Sequence, residues 1–80
     1  MKIPVIKKLV ESCTIEELQA AEQAIVQEQP LGIEIEGSDE GEQLTHAIAA
    51  IWILERMQGA NVDFKTALRE YTQKVRESIN

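Results

Sequence analysis

The stretch Ala47-Ile48-Ala49-Ala50-Ile51-Trp52-Ile53-Leu54 decides the fold, because eight consecutive residues carry no polar side chain. A helix that is apolar on every face has nothing to turn towards water, so it must be enclosed by protein. A chain of 80 residues buries a smaller fraction of its surface than a larger domain does. The stretch therefore predicts a central helix, and the shortness of the chain favours association with a second copy.

On either side of this stretch, the sequence predicts an all-α fold, a small bundle of four helices in a single domain over residues 1–80. Two helix starts carry a capping box, in which the cap side chain and a glutamate three residues later each accept a backbone hydrogen bond. The two pairs are Thr14 with Glu17, and Asp39 with Glu42, with Ser38 as an alternative cap of the third helix. The predicted helices cover residues 4–12, 14–29, 39–58 and 63–78.

Pro30 and Gly59 are the predicted stops of the second and third helices. A proline biases the residue before it away from helical geometry. A glycine adopts at low cost the left-handed conformation that ends many helices. The sequence therefore predicts the second helix to reach residue 29 and the third to stop at Gly59.

Residues 33–36, Ile33-Glu34-Ile35-Glu36, alternate between apolar and acidic side chains. Alternation with period two places both isoleucines on one face, as in a half-buried strand. No second strand is evident in the sequence. The segment is therefore an extended connector, or pairs with its own copy across a two-fold axis, or pairs with a segment interpreted here as helical. Ile33 and Ile35 are candidate interface residues for this reason.

Three residues of the third helix are further interface candidates, because they lie off its main apolar seam: Ala49, Trp52 and Ile53. The main seam follows helical spacing through Leu44, Ala47, Ile48 and Ile51. Residues off that seam still avoid water and need another cover. For Trp52, that cover is either the first two helices or a second subunit.

Charge is divided unevenly along the chain. Residues 1–8 contain three lysines and no acid, residues 9–55 contain eleven acids and no Lys or Arg, and the net charge is −6. An acidic field repels phosphate backbones, so nucleic-acid binding is not expected. The apolar run is far shorter than the roughly 20 residues that span a bilayer, so no membrane association is expected either. The basic ends are suited to dock on the acidic middle, within one chain or between two.

Glu42 and His46 are candidate ligands for a transition metal, because they are four residues apart and share one helical face. Two ligands do not complete a zinc site, so neither a metal nor another cofactor is expected. His46 is better interpreted as a partly buried residue that is hydrogen-bonded to a neighbour. Cys13 is a single thiol with no base beside it, so no nucleophilic catalyst is predicted. The lone cysteine and the lack of a secretory segment favour the cytoplasm.

The segment Ile33–Gly37, followed by Asp39–His46 and the apolar run, resembles a group of short bacterial proteins of unknown function. The resemblance covers nearly the whole chain. It implies no activity and no binding residues.

The sequence as a whole predicts a homodimeric protein–protein interaction or structural protein rather than an enzyme. The alternative is an acidic module that recognises a basic protein partner. The acids that this alternative would use are Glu34, Glu36, Asp39 and Glu40. A third hypothesis is a metal protein or enzyme that uses Glu42 and His46.

Overall fold

Four helices form the fold in a computed structural model, which describes the backbone of residues 2–79 and the side chains of residues 2–77. They are α1 (Ile3–Ser12), α2 (Ile15–Val26), α3 (Glu40–Ala60) and α4 (Phe64–Ile79). The described residues contain no strand, and the predicted all-α bundle of four helices is confirmed. Within residues 2–79, no helix has both the length and the apolarity that crossing a membrane requires.

The predicted caps begin α2 and α3. The Thr14 hydroxyl accepts a hydrogen bond from the Glu17 N–H at 3.1 Å, and the Glu17 carboxylate accepts one from the Thr14 N–H at 2.9 Å. At α3, the Asp39 carboxylate accepts a hydrogen bond from the Glu42 N–H at 2.8 Å. The Glu42 carboxylate accepts from Ser38 instead of from the cap residue, also at 2.8 Å. These bonds satisfy N–H groups that have no partner inside the helix.

The end of α2 lies three residues before the predicted one. Glu28 adopts the left-handed conformation, with φ of 56°. The Gln29 N–H then donates to the Ala24 carbonyl at 2.7 Å, and the Glu28 N–H donates to the Ile25 carbonyl at 3.2 Å. This pair of bonds is the Schellman motif, which closes a helix with a left-handed residue just beyond it. α2 therefore ends at this turn, before the position at which Pro30 was predicted to end it.

The end of α3 lies two residues beyond the predicted one. The helix continues through Gly59 to Ala60, and Asn61 takes the left-handed conformation, with φ of 55°. Asparagine tolerates this conformation better than most residues, because its short polar side chain can bond locally. The prediction that Gly59 provides the left-handed cap was therefore wrong.

The central position of α3 is confirmed, because α1, α2 and α4 each pack against it. Alanines at positions 47, 49 and 50 are fully buried and let the neighbouring helices approach closely. The largest fully buried side chains come from three of the helices: Ile6, Leu18, His46 and Ile53. Much of the apolar helix is therefore enclosed by the chain itself.

Residues 33–36 lie in the connector between α2 and α3 and form no strand. Ile35 is buried, whereas Glu34 and Glu36 are exposed, so the predicted alternation of burial is present. The Ile35 carbonyl accepts a hydrogen bond from the side-chain amide of Gln43 at 2.9 Å. The connector is therefore held against α3 by side-chain contacts, and a single chain provides the cover for Ile35.

Candidate functional site

His46 is fully buried and joins three parts of the chain. Its Nε2 accepts a hydrogen bond from the backbone N–H of Lys2 at 2.9 Å, and its Nδ1 lies 2.7 Å from the carbonyl oxygen of Glu36. A carbonyl only accepts, so Nδ1 carries the proton and donates it, and Nε2 uses its lone pair on Lys2. The imidazole therefore ties the start of α1 and the connector to α3. The predicted hydrogen bonding of His46 is confirmed, and its burial is complete where only partial burial was predicted.

Glu42 lies one turn before His46 and serves the start of α3. The hydrogen bond from the backbone of Ser38 lowers the pKa of the Glu42 carboxyl, and the positive charge of Lys2 acts in the same direction. A carboxylate in this position also interacts favourably with the positive end of the helix dipole. Glu42 is therefore part of the cap of α3.

The two candidate metal ligands do not form a metal site in this arrangement. A metal ion needs the lone pair of an imidazole nitrogen, and the Nε2 lone pair of His46 is directed at the Lys2 N–H. Within the described part of the chain, no group of three or more His, Cys, Asp or Glu side chains lies close enough together to hold an ion. Glu42 and His46 are therefore structural residues here.

The interface candidates on α3 differ in their exposure. Ala49 and Ile53 have no exposed surface, because they face inward in a single chain. Sequence reasoning placed them off the main seam, yet both are buried, and within that seam Ala47 is buried whereas Ile48 is exposed. Ala49 and Ile53 are therefore withdrawn as interface candidates. Trp52 is only partly buried.

The interface candidates in the connector also lie against their own chain. Ile35 is 3% exposed, and Ile33 is partly buried and packs against the core. The four acids proposed for a basic partner are all exposed, namely Glu34, Glu36, Asp39 and Glu40. Asp39 is already engaged as the cap of α3. The connector therefore exposes acidic side chains, while its two isoleucines pack against their own chain.

The outward side of α3 carries a shallow apolar depression beside α2. Ile48, Ile51 and Trp52 line it, and Glu22 of α2 and Glu55 of α3 complete its wall. Its volume is about 140 Å³. Ile48 is 41% exposed, which is high for an isoleucine within an apolar run. We call this depression the α2/α3 groove.

α4 supports the far side of the groove. The rings of Trp52 and Tyr71 lie with their centroids 5.6 Å apart and their planes tilted by 54°. Tilted pairs at this separation are a favourable arrangement of aromatic rings. One turn further along α3, Arg56 donates two hydrogen bonds to Glu70 of α4, at 2.7 and 3.1 Å. α4 therefore covers part of Trp52, which neither of the two predicted alternatives named.

The charge at the groove is negative. Glu22 and Glu55 form no ion pair within residues 2–77. The nearest cation along α3 is Arg56, and its guanidinium is bound to Glu70. All the other Lys and Arg residues lie before position 9 or after position 64. The apolar floor of the groove is therefore bordered by two carboxylates that have no internal counter-ion.

Sequence reasoning missed Ile48 and Val26 as surface residues. Val26, at the end of α2, is 68% exposed. An all-apolar run has no polar residue to mark its outward side. Its periodicity therefore did not predict which side of α3 faces outward. The signal lay just outside the run: Thr45 and Glu55 fall on one helical line with Ile48 and Trp52, at steps of three, four and three. Polar residues at both ends of that line mark it as the outward face.

Comparison with protein families places the chain within a known family. A family model described as a family of unknown function, DUF6952, matches residues 1–80. The chain belongs to the DUF6952 family. Since the match covers the whole chain, the four helices, the connector and the groove all fall within the DUF6952 unit. Comparison with curated proteins found no match, and comparison with solved structures found none.

Proposed function

We propose that this chain is a protein-interaction module that binds a basic partner through the α2/α3 groove. The observation that carries the proposal is the pairing of an exposed apolar floor with an acidic border. Exposed isoleucine beside half-buried tryptophan is typical of contact surfaces, where aromatic residues are enriched. Carboxylates at the rim steer an oppositely charged partner and suppress wrong ones.

The division of charge supports the same proposal. Every charged residue of α2 is acidic, and so is every charged residue of α3 up to Glu55. The connector follows the C-terminal end of α2, and its exposed acids add to this negative charge. Within such a surface an approaching cation meets attraction over a wide area, which raises the association rate.

Self-association is the second candidate, and the exposed side chains of Ile3, Val26 and Ile48 favour it. A symmetric contact places the same patch on both subunits. Groove-to-groove packing would therefore bring two copies of Glu22 and Glu55 together without a cation between them. Like charges in an interface cost free energy, so the basic partner is the better candidate.

The proposed location is the cytoplasm. A single cysteine, free and only partly buried, suits a compartment in which thiols stay reduced. Fractionation of cells that produce the chain at its natural level tests this part of the proposal.

Site-specific photo-crosslinking tests the proposed surface. A benzophenone amino acid replaces Ile48 in the groove, and in a matched variant it replaces Gln73, which is exposed on α4. The proposal predicts a discrete adduct with another protein from position 48 and none from position 73. An adduct of the chain with itself would favour the second candidate. Equal labelling from both positions, or from neither, would contradict a specific surface at the groove.

A further inference from the structure

The α2/α3 groove has a neighbouring depression on α2. A second depression of about 340 Å³ is lined by Glu22, Gln23, Val26 and Gln27. Glu22 lines both depressions, so they meet at this residue. The exposed side chains of Val26 and Ile48 lie on the two sides of that meeting point. The surface therefore offers two adjoining places for apolar side chains of one ligand.

The length of the groove matches a short helical ligand. From Ile48 to Glu55 is seven residues of α3, which is two turns or about 10 Å. A ligand helix that presents apolar side chains at positions i, i+3 or i+4, and i+7 spans about the same length. Such a helix places successive anchors along the floor and keeps its remaining side chains at the rim.

Other common modes of peptide recognition do not fit this surface. Adding a strand requires an exposed sheet edge, and the described residues contain no strand. Recognition of proline-rich peptides requires a groove lined by several aromatic rings. Trp52 is the one aromatic residue that lines this groove. Of these three modes of peptide recognition, a ligand helix packed against α2 and α3 is the one that fits the groove.

The charge of the ligand follows from the rim. Glu22 and Glu55 stand at the wall of the groove, and the chain supplies no Lys or Arg to either of them within the described residues. A ligand with Lys or Arg beside its apolar stripe provides the missing counter-ions. A ligand with acidic residues there would add like charges at close range, which costs free energy.

From these observations we infer that the ligand of the α2/α3 groove is an amphipathic α-helix with two or three apolar anchors flanked by Lys or Arg. The inference rests on the proposed function and adds the chemical class of the partner. The anchors contact Ile48, Ile51 and Trp52, and the cations face Glu22 and Glu55.

Designed peptides test the inference on the purified chain. The probe is an 18-residue helical peptide with Leu at i, i+4 and i+7 and Lys or Arg at its other exposed positions, a length of roughly five turns. One comparison peptide keeps the Leu pattern and carries Glu in place of Lys and Arg. Another keeps the basic composition and scrambles the Leu positions. Trp52 is the only tryptophan in the chain, so its emission reports directly on the groove.

The basic amphipathic peptide is expected to shift the Trp52 emission and to bind at least about tenfold more tightly than either comparison peptide. Raising the salt from about 0.05 to 0.5 M should weaken its binding several-fold, because exposed charges are screened. Ile48→Lys should abolish binding. Glu22→Gln with Glu55→Gln should weaken binding, whereas the matched control Glu11→Gln with Glu16→Gln should leave it nearly unchanged.

Two results would overturn the inference. Equal binding of the acidic amphipathic peptide would show that the rim does not select charge. Equal binding of the scrambled basic peptide would show that only net charge is recognised. Both results leave the photo-crosslink from position 48 intact, so they separate an error in the partner class from an error in the proposed surface.

Discussion

The inward and outward sides of α3 have similar residues, but the inward side is buried and the outward side lines the α2/α3 groove. Ala49 and Ile53 face inward and have no exposed surface, whereas Ile48 and Trp52 face outward beside α2. Composition does not distinguish the two sides, because isoleucine occurs on both. What distinguishes them is the number of helices within reach. Three helices in an 80-residue chain cover most of α3 and leave one strip open.

The largest expected effect tests that contrast directly. Ile53→Ala removes a fully buried side chain and leaves a cavity, and we expect it to lower the free energy of unfolding by about 3 kcal/mol. Ile48→Ala on the outward side is the matched variant, with an expected change of about 0.5 kcal/mol or less. Urea denaturation followed by circular dichroism measures both. Equal losses would show that the two sides of α3 are not distinct.

A second test addresses the bonds that hold the inward side to the rest of the chain. His46→Leu replaces the imidazole with an apolar side chain of moderate size. It leaves the Lys2 N–H and the Glu36 carbonyl without their hydrogen-bond partner. We expect a loss of about 2 kcal/mol. Thr45→Val on the exposed side of the same turn is the control, with a change within about 0.5 kcal/mol. An unchanged unfolding curve for His46→Leu would rule out a structural role for these bonds.

Acid stability provides a third and smaller test, because it reports on the bonds that cap α3 and α4. At the start of α4, the Asp63 carboxylate accepts a hydrogen bond from the Thr66 N–H at 2.8 Å. Hydrogen bonds from Ser38 lower the pKa of Glu42, and hydrogen bonds from Thr66, its side chain first, lower the pKa of Asp63. A carboxyl with a lowered pKa in the folded state stabilises that state at neutral pH. The contribution is lost as the pH falls below the ordinary carboxyl value, about 4, through the folded pKa.

The melting temperature between pH 5 and pH 3 checks this expectation. In that range the wild type should lose stability more steeply than Glu42→Gln with Asp63→Asn, which removes both titrations and keeps an asparagine cap. The control Glu11→Gln with Glu16→Gln removes two exposed carboxyls that accept no hydrogen bond in the described structure, and it should follow the wild type. Parallel curves for all three proteins would contradict the role of the caps.

The smallest expected effect concerns the turn that ends α2, directly after Val26. Glu28 is a left-handed non-glycine residue, a conformation that costs an L-residue about 1–2 kcal/mol. Glu28→Gly should raise stability by roughly 0.5–1 kcal/mol after the added freedom of the unfolded chain is counted. Gln23→Gly within α2 should lower it by about 1 kcal/mol. A loss of stability in Glu28→Gly would contradict the Schellman turn.

The starts of α2 and α3 were predictable from the sequence, and the ends of these two helices were not. The side chains of Thr14 and Asp39 accept hydrogen bonds from backbone N–H groups of the first turn. The residue types near each helix start therefore predict it. No local signal in the sequence marks the other two points. α2 ends at a left-handed glutamate, and α3 ends beyond Gly59. Each end is closed by a left-handed residue other than glycine, Glu28 or Asn61, whereas local preference favours glycine there.

The site was predictable only in part. Acidity of the middle of the chain, and Trp52 as a residue outside the main seam, both followed from the sequence. The groove did not, because it depends on the orientation of α3, and an all-apolar run looks the same from every side. The burial of Ala49 and Ile53 follows from that orientation, which only the packing of the other three helices determines.

The central claim is that one chain encloses the inward side of α3 by itself and keeps the α2/α3 groove open for a partner. Sedimentation velocity of the purified wild type at micromolar concentration tests this claim most directly. The account predicts a folded 9.0 kDa monomer with an intact helical spectrum. A stable dimer that dissociates only when Ile48→Lys is introduced would contradict it, because the groove would then be occupied by a second copy.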